Sequence, residues 1–358
     1  MANRVKARLV DVARDAGVSP ATVSRAMAQP DLLTPDTLAR VHDSARKLGY
    51  RPDGMARALA SGRTMTIGAI VPTLDSTIFA RVLQAMQSTL AREGYQLLVA
   101  SHEMNPAAET EAVRTLLTRG VDGLMLVGAE RSQDAAMLLR TAGVPVVLSW
   151  VGTQDCAAVT VDNRLAGHLA ARHLIGLGHR RIGMVVGHLP FNDRQQARLA
   201  GARQALHEAG LDLPGALVSE QGLTMAGGRA GCARLLELGE PPSAIIGGID
   251  LFAIGCIQEA QSRGIAVPEA LSVVGIDDIE MSAHITPALT TVMIPTARIG
   301  QLCAATLLAE IKGERRHEQT ELPIELVVRQ STAAGRQVLP AKAASTASTA
   351  STARQAFP

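Results

Sequence analysis

From Thr64 to Ser331, short β-rich runs alternate with segments of helix length, and this alternation limits the fold more than any other feature of the chain. Runs such as TIGAIV (66–71), GLMLV (123–127) and RIGMVV (181–186) consist of apolar and β-branched residues with little polar interruption. Further strand candidates lie at 95–100, 144–150, 157–162, 216–220, 244–248, 272–277, 290–294 and 323–331. Between most of them stand stretches such as FARVLQAMQSTLAREGY and NRLAGHLAARHLIGLG, long enough for the helix of a βαβ unit. Eleven strands are too many for one ordinary sheet, so the segment reads as two Rossmann-like α/β subdomains, each a parallel sheet wrapped by helices.

The first 63 residues read differently. In LVDVARDAGVSPATVSRAMA (9–28), Leu9, Val12, Ala13 and Ala16 recur at helical spacing. Gly17 ends that helix, and Ser19 with Pro20 starts another, a hydroxyl cap followed by a residue that needs no N–H at the first helical position. Val23, Ala26 and Met27 face inward, which leaves Thr22, Ser24 and Arg25 outside. A helix–glycine turn–helix with hydroxyls and an arginine on its second helix suits a DNA major groove, where hydroxyls reach phosphate and arginine reads guanine. An ordinary helical hairpin is the alternative on this stretch alone. A third helix follows, capped by Thr34 and Pro35, with Leu38, Val41, Ala45 and Leu48 as its stripe and Gly49 as its stop. Next, RPDGMARALASGRT holds a turn or two of helix (55–61) with Arg51, Arg57 and Arg63 but few apolar residues. So short a helix is marginal by itself and suits a hinge that orders on a partner.

Charge separates the two parts. Residues 1–63 hold eleven Lys and Arg against six Asp and Glu, a net of +5, which leaves −3 on the rest of a chain of net +2. A basic head on a mildly acidic body places nucleic acid at one end. Aromatic residues make up only 2% of the chain, which argues against a stacking platform for single strands. The N-terminus lacks the apolar region of a signal peptide and no run approaches a membrane span, so the expected place is the cytoplasm, with no membrane partner. Cys156, Cys232, Cys256 and Cys303 show no CxxC pairing and read as thiols in a reducing compartment rather than as metal ligands or disulfides. No Walker loop, HExxH or G-x-S-x-G occurs, and the glycines at 227, 228 and 231 lack dinucleotide spacing. Neither catalysis nor a cofactor is therefore expected. After Ser331 the chain runs into an Ala/Ser/Thr-rich tail (333–358) without the leucine heptads of a tetramerising coiled coil, so a homodimer is expected.

Several motifs, in order over residues 8 to 332, resemble the lactose/galactose repressor (LacI/GalR) family: LVDVARDAGVSPATVSRAM, KLGYRPDGMARALASGRT, TIGAIVPTLDSTIFARVL, VDNRLAGHLAARHLIGLGHRRIGMVVG, NDRQQARLAGARQAL and SVVGIDDIEMSAHITPALTTV. The resemblance implies a small all-α helix-turn-helix DNA-binding head (1–51), a hinge (52–63) and a periplasmic-binding-protein-like core (64–332). It divides the core into an N-subdomain (about 64–161 and 292–322) and a C-subdomain (about 162–291 and 323–332), crossed near Asp162, Thr291 and Pro323. It further implies a repressor that binds a pseudo-palindromic double-stranded operator under the control of a small effector held in the cleft. A sugar-binding protein or Rossmann-type enzyme without a DNA role is the competing class.

Matched position by position, the resemblance places Pro20, Ala21 and Arg25 toward the bases, and Ser19, Thr22, Ser24 and Tyr50 toward the DNA backbone. Leu59 matches the leucine wedged into a minor-groove step, flanked by Ala56 and Arg57. In the cleft it places Ser76, Ile78, Phe79, Trp150, Asn192, Arg194, Arg198, Leu223, Ile249, Asp250 and Asp277. A carboxylate, an arginine fork and an aromatic wall suit a sugar. Two neighbouring arginines also suit a sugar acid or sugar phosphate, yet either can equally pair with Asp193 or Asp250. Asp277 has a capping or ion-pair reading beside the ligand one, and Trp150 a core-packing one. Ile249 replaces the polar residue usual in the family, which removes one hydrogen-bonding contact.

Overall fold

Seven apolar side chains close the head. Val12, Ala13 and Ala16 of α1 (Leu9–Ala16), Val23 and Ala26 of α2 (Pro20–Ala28), and Val41 and Ala45 of α3 (Pro35–Leu48) form its core, with Leu9, Val18, Met27, Leu38 and Leu48 packed around it. This is a computed structural model, and it describes residues 7–28, 30–50, 62–314 and 318–335. Ala56, Arg57, Leu59, most of the expected hinge and the tail beyond Gly335 lie outside the described residues. Gly17 and Gly49 close α1 and α3 in the left-handed region, at φ +66 and +64. Ser19 Oγ accepts from Thr22 N at 3.1 Å, the expected cap of α2. Thr34 does not act as expected: its hydroxyl donates to Thr37 Oγ1 at 3.0 Å and makes no cap bond to the backbone.

The body holds two sheets of six strands among the described residues. The first orders β11 (Gln319–Leu322), β5 (Ala157–Val161), β4 (Val146–Trp150), β3 (Gly123–Val127), β1 (Thr66–Val71) and β2 (Gln96–Ser101), all parallel. The second orders β12 (Glu325–Val327), β10 (Thr290–Met293), β9 (Ser272–Asp277), β8 (Ala244–Gly247), β6 (Ile182–Gly187) and β7 (Val218–Gln221), with only β12 antiparallel. Helices α4 (Thr77–Arg92), α5 (Pro106–Thr118) and α6 (Gln133–Thr141) follow β1, β2 and β3, and α11 (Thr296–Lys312) packs on α4. In the second half, α7 (Asn163–Gly176) packs on α8 (Asp193–Glu208), and α9 (Met225–Leu236) on α10 (Asp250–Ser262). One apolar cluster runs through both halves.

Two differences from the sequence reading concern the crossings. The segment 323–331 is not one strand. QTEL pairs with β5 in the first sheet, Pro323 interrupts, and only Glu325–Val327 joins the second sheet. The middle crossing lies after β10, between Met293 and Thr296, because Thr291 sits inside that strand opposite Gly275.

The α7–α8 contact depends on glycine. A Cβ on Gly201 would lie 1.8 Å from Arg164 O, and one on Gly167 the same distance from Arg198 O. Gly201→Ala is therefore expected to force the helices apart and cost about 1–3 kcal/mol, read as a lower midpoint in urea denaturation. An unchanged midpoint would mean that the helices separate freely.

Candidate functional site

A narrow cleft lies between the two sheets. Its lining comes from segments that follow the carboxyl ends of β1, β4, β6, β7, β8 and β9, where open parallel sheets present residues to ligands. Ser76, Ile78, Phe79, Trp150, Asn192, Arg194, Arg198, Leu223, Ile249 and Asp277 all meet there. Thr73, Thr77, Gln195, Leu251 and Ile279 line it as well and went unread in the sequence.

Asp250, expected in the cleft, lies outside its lining. It is fully buried at the first turn of α10, where Oδ2 accepts from Ile279 N at 2.9 Å and from Ser282 Oγ at 2.6 Å. Its Oδ1 takes the Thr291 hydroxyl. Desolvation raises its pKa, and the three donors oppose the shift. Both oxygens are occupied by the protein, so Asp250 braces the turn after β9 and does not line the cleft.

Arg198 is 2% exposed and uses every edge of its guanidinium. Nε donates to Asn163 Oδ1 at 3.1 Å, Nη1 donates to Gly248 O at 2.7 Å, and Nη2 stands 3.2 Å from Asp277 Oδ1. Asn163, a residue the sequence reading passed over, also donates to Trp150 O at 3.3 Å and so joins the two halves behind the cleft. Asp277 sits at φ +135 and Asp278 at +54, a backbone that non-glycine residues rarely adopt. Burial pushes the Asp277 carboxyl up to about 7, against the pull of Arg198. Arg194 pairs with Asp193 at 3.0 Å, the alternative left open in the sequence reading.

Trp150 is 1% exposed, at φ +66, and meets Phe79 edge-on with centroids 5.4 Å apart. Trp150 Nε1, Asn192 Oδ1 and Asp277 Oδ1 are buried without a hydrogen-bond partner, and all three residues face the same cleft. Such atoms are rare because each costs free energy unless something else satisfies it. The walls between them (Ile78, Phe79, Leu223, Ile249, Leu251 and Ile279) are apolar. Ile249 stands at the N-cap of α10 and offers no side-chain bond, as its replacement of a polar residue implies.

In the head, Ser19, Pro20, Ala21, Ser24 and Arg25 are exposed on one side of α2, while Thr22 and Tyr50 are half-buried. Cys232, Cys256 and Cys303 are buried free thiols, and Cys156 is partly buried. Among the described residues no helix is long and apolar enough to cross a membrane.

Two family models match: "Bacterial regulatory proteins, lacI family" over residues 8–53 and "Periplasmic binding protein-like domain" over 171–332. The HTH-type transcriptional repressor CytR of Escherichia coli (strain K12) is 31% identical over 333 residues, which is 92% of this chain and 97% of that protein. The structure of the lac repressor dimer bound to operator and the anti-inducer ONPF superposes with a TM-score of 0.83 at 27% identity, covering 92% of this chain and all of that one. A complex of the transcriptional regulator CelR with cellobiose gives 0.69 at 29% identity, covering 91% and 100%.

Proposed function

The chain belongs to the LacI family of bacterial regulatory proteins, and we propose that it is a transcriptional repressor that works as a homodimer, its hold on a pseudo-palindromic operator set by a small hydroxylated molecule in the cleft. Two heads related by the dimer axis read the two half-sites. In each, Arg25 reads a base, Ala21 touches a thymine methyl, Pro20 packs beside it, and Ser19, Thr22, Ser24 and Tyr50 hold phosphates. Leu59 is the minor-groove wedge, with Ala56 and Arg57 beside it. The place of action is the bacterial cytoplasm, where the DNA is.

The observation that supports the effector reading is the set of buried polar atoms without a hydrogen-bond partner, a donor on Trp150 and an acceptor on Asn192, beside Asp277 Oδ1, which has only the ion pair with Arg198. Both cleft arginines already have an acid partner, Asp193 for Arg194 and Asp277 for Arg198. A neutral molecule rich in hydroxyls meets these demands, and its apolar face suits the aliphatic and aromatic walls. A sugar acid or sugar phosphate would need a free cation, so the neutral sugar is preferred among the three. Trp150 is the chain's only tryptophan and reports on the cleft directly. In a screen of neutral sugars, sugar acids and sugar phosphates by Trp150 emission and thermal shift, neutral sugars are expected to shift both signals and to change operator affinity. Shifts confined to the charged compounds would overturn the neutral reading. Deleting residues 1–63 should remove DNA binding and keep ligand binding, which separates this function from that of a sugar-binding protein or enzyme without a DNA role.

Arg25 is the only long donor on α2. Arg25→Ala is expected to cost about 1–3 kcal/mol per half-site and to relax base preference. Full affinity and selectivity in an operator titration would remove Arg25 from base reading.

A further inference from the structure

We propose that Asp193 is a latch between the two halves of the core, its carboxylate holding the cleft shut by accepting backbone N–H groups from across it. Asp193 opens α8 in the second half, yet its Oδ2 accepts from Ala129 N at 2.6 Å and from Glu130 N at 3.1 Å, in the loop after β3 of the first half. Hydrogen bonds to an ionised acceptor are stronger than neutral ones, and this carboxylate is only 17% exposed, so solvent screens it little.

The receiving loop is built for it. Arg131 turns back and donates to Gly128 O at 2.6 Å and to Ala129 O at 3.3 Å, which fixes the loop's carbonyls on its own side. Gly128, at φ +76, supplies the clearance. A Cβ there would meet Arg194 Nη1 at 2.4 Å and the Asp193 oxygens at 2.9 and 3.0 Å. The same carboxylate takes a bond from Arg194 at 3.0 Å, so an arginine that faces the cleft is held by the latch and not by a ligand. Gln196, one turn along α8, adds a bond to Glu130 at 2.9 Å. At the other rim Arg81 and Glu280 form an exposed pair at 3.3 Å, which contributes little.

The consequence concerns closure itself and does not depend on what the cleft binds. A closed arrangement held by the protein's own groups sets the balance that any ligand must shift, and weakening the latch moves that balance before a ligand is added.

Trp150, 1% exposed in the cleft, tests this without a ligand. In the full-length protein, Asp193→Ala and Gly128→Ala are each expected to raise the open population about tenfold, seen as a red-shifted Trp150 emission and stronger quenching by acrylamide. Melting should stay cooperative, and Asp193→Asn, which keeps one acceptor oxygen, should fall between. Glu130→Ala leaves the backbone N–H groups in place and removes only the Gln196 bond, so its effect should be well below that of Asp193→Ala. An Asp193 that serves only to stabilise α8 would lower the melting temperature and leave the folded-state quenching unchanged. If Asp193→Ala does not fold, Gly128→Ala and Asp193→Asn decide. A rise in quenching in either supports the latch, and parental protection of Trp150 in both overturns it.

Discussion

Arg198→Ala is expected to destabilise the core by about 3–5 kcal/mol, because it strips the partner from a buried carboxylate and leaves one further acceptor, Asn163 Oδ1, unmet. Asp277 is 4% exposed, and Arg198 is its ion-pair partner. Asn163 Oδ1 loses its donor in the same stroke, while Gly248 O keeps the one from Gln195. Truncation also opens a cavity beneath the cleft floor, which adds to the loss. Urea denaturation followed by far-ultraviolet dichroism gives the number, and a cost below about 1 kcal/mol would mean that water satisfies the site. A double variant, Arg198→Met with Asp277→Asn, should recover part of the stability, since an apolar chain beside a neutral amide removes the uncompensated charge.

Arg198 shows why a cleft is only partly legible in a sequence. The strand ends were readable because β-rich runs and the turns after them carry local signals, and the residues just beyond β1, β4, β6 and β9 do line the cleft. Which way a side chain points there depends on partners far along the chain. Asp250 follows β8 just as Asp277 ends β9, so the two looked alike. Ser282 and Thr291, 32 and 41 residues away, draw Asp250 inward. Asn163 gave no signal at all, since its role as the hinge pin between Trp150 and Arg198 exists only once both halves are assembled. The strand Gln319–Leu322 was missed for a local reason. QTEL alternates polar and apolar weakly at a sheet edge, where one side needs no apolar cover, and it pairs with β5 through backbone groups. The head was the most legible part, because three capped helices with narrow stripes need only one another.

The cleft is thus a largely assembled polar frame with a few open valences. Arg198, Asn163 and Gln195 are committed to holding it, with Gln195 bridging Gly187 N at 3.1 Å and Gly248 O at 3.0 Å. In the proposed function an effector acts on what is left: Trp150 Nε1, Asn192 Oδ1 and the side of Asp277 Oδ1 not taken by Arg198. Its leverage on DNA must be the difference in affinity between cleft arrangements, and by reciprocity the operator alters effector affinity by the same factor.

If the effector meets Asp277 as proposed, its binding is expected to depend on pH. Its carboxyl is held at about 7 in the folded protein, against 3.8 for the ordinary group, mainly by desolvation. A hydroxyl donated to Oδ1 favours the ionised form, so affinity should rise with pH up to about 7 and level off above it. Below that point it should fall roughly tenfold per pH unit. Folding stability in the absence of effector runs the other way. A carboxyl whose pKa is raised on folding binds its proton more tightly in the native state, so this group's contribution is most favourable below about 3.8 and is lost as pH rises through about 7. Asp250, also raised, adds the same sign. His102 does not confuse the window, because burial and two nearby arginines push it down to about 4 and it stays neutral above that. Asp277→Asn should flatten the affinity profile and weaken binding by one to two decades, about 1.5–3 kcal/mol for a hydrogen bond to a charged group. Operator affinity without effector should change little, so the variant becomes a repressor that no longer responds. Titration calorimetry of the sugar identified by the Trp150 screen, at several pH values between 5.5 and 8.5, measures the slope. A flat profile in the parent protein would take Asp277 out of the contact with effector and leave it as the structural counter-ion of Arg198.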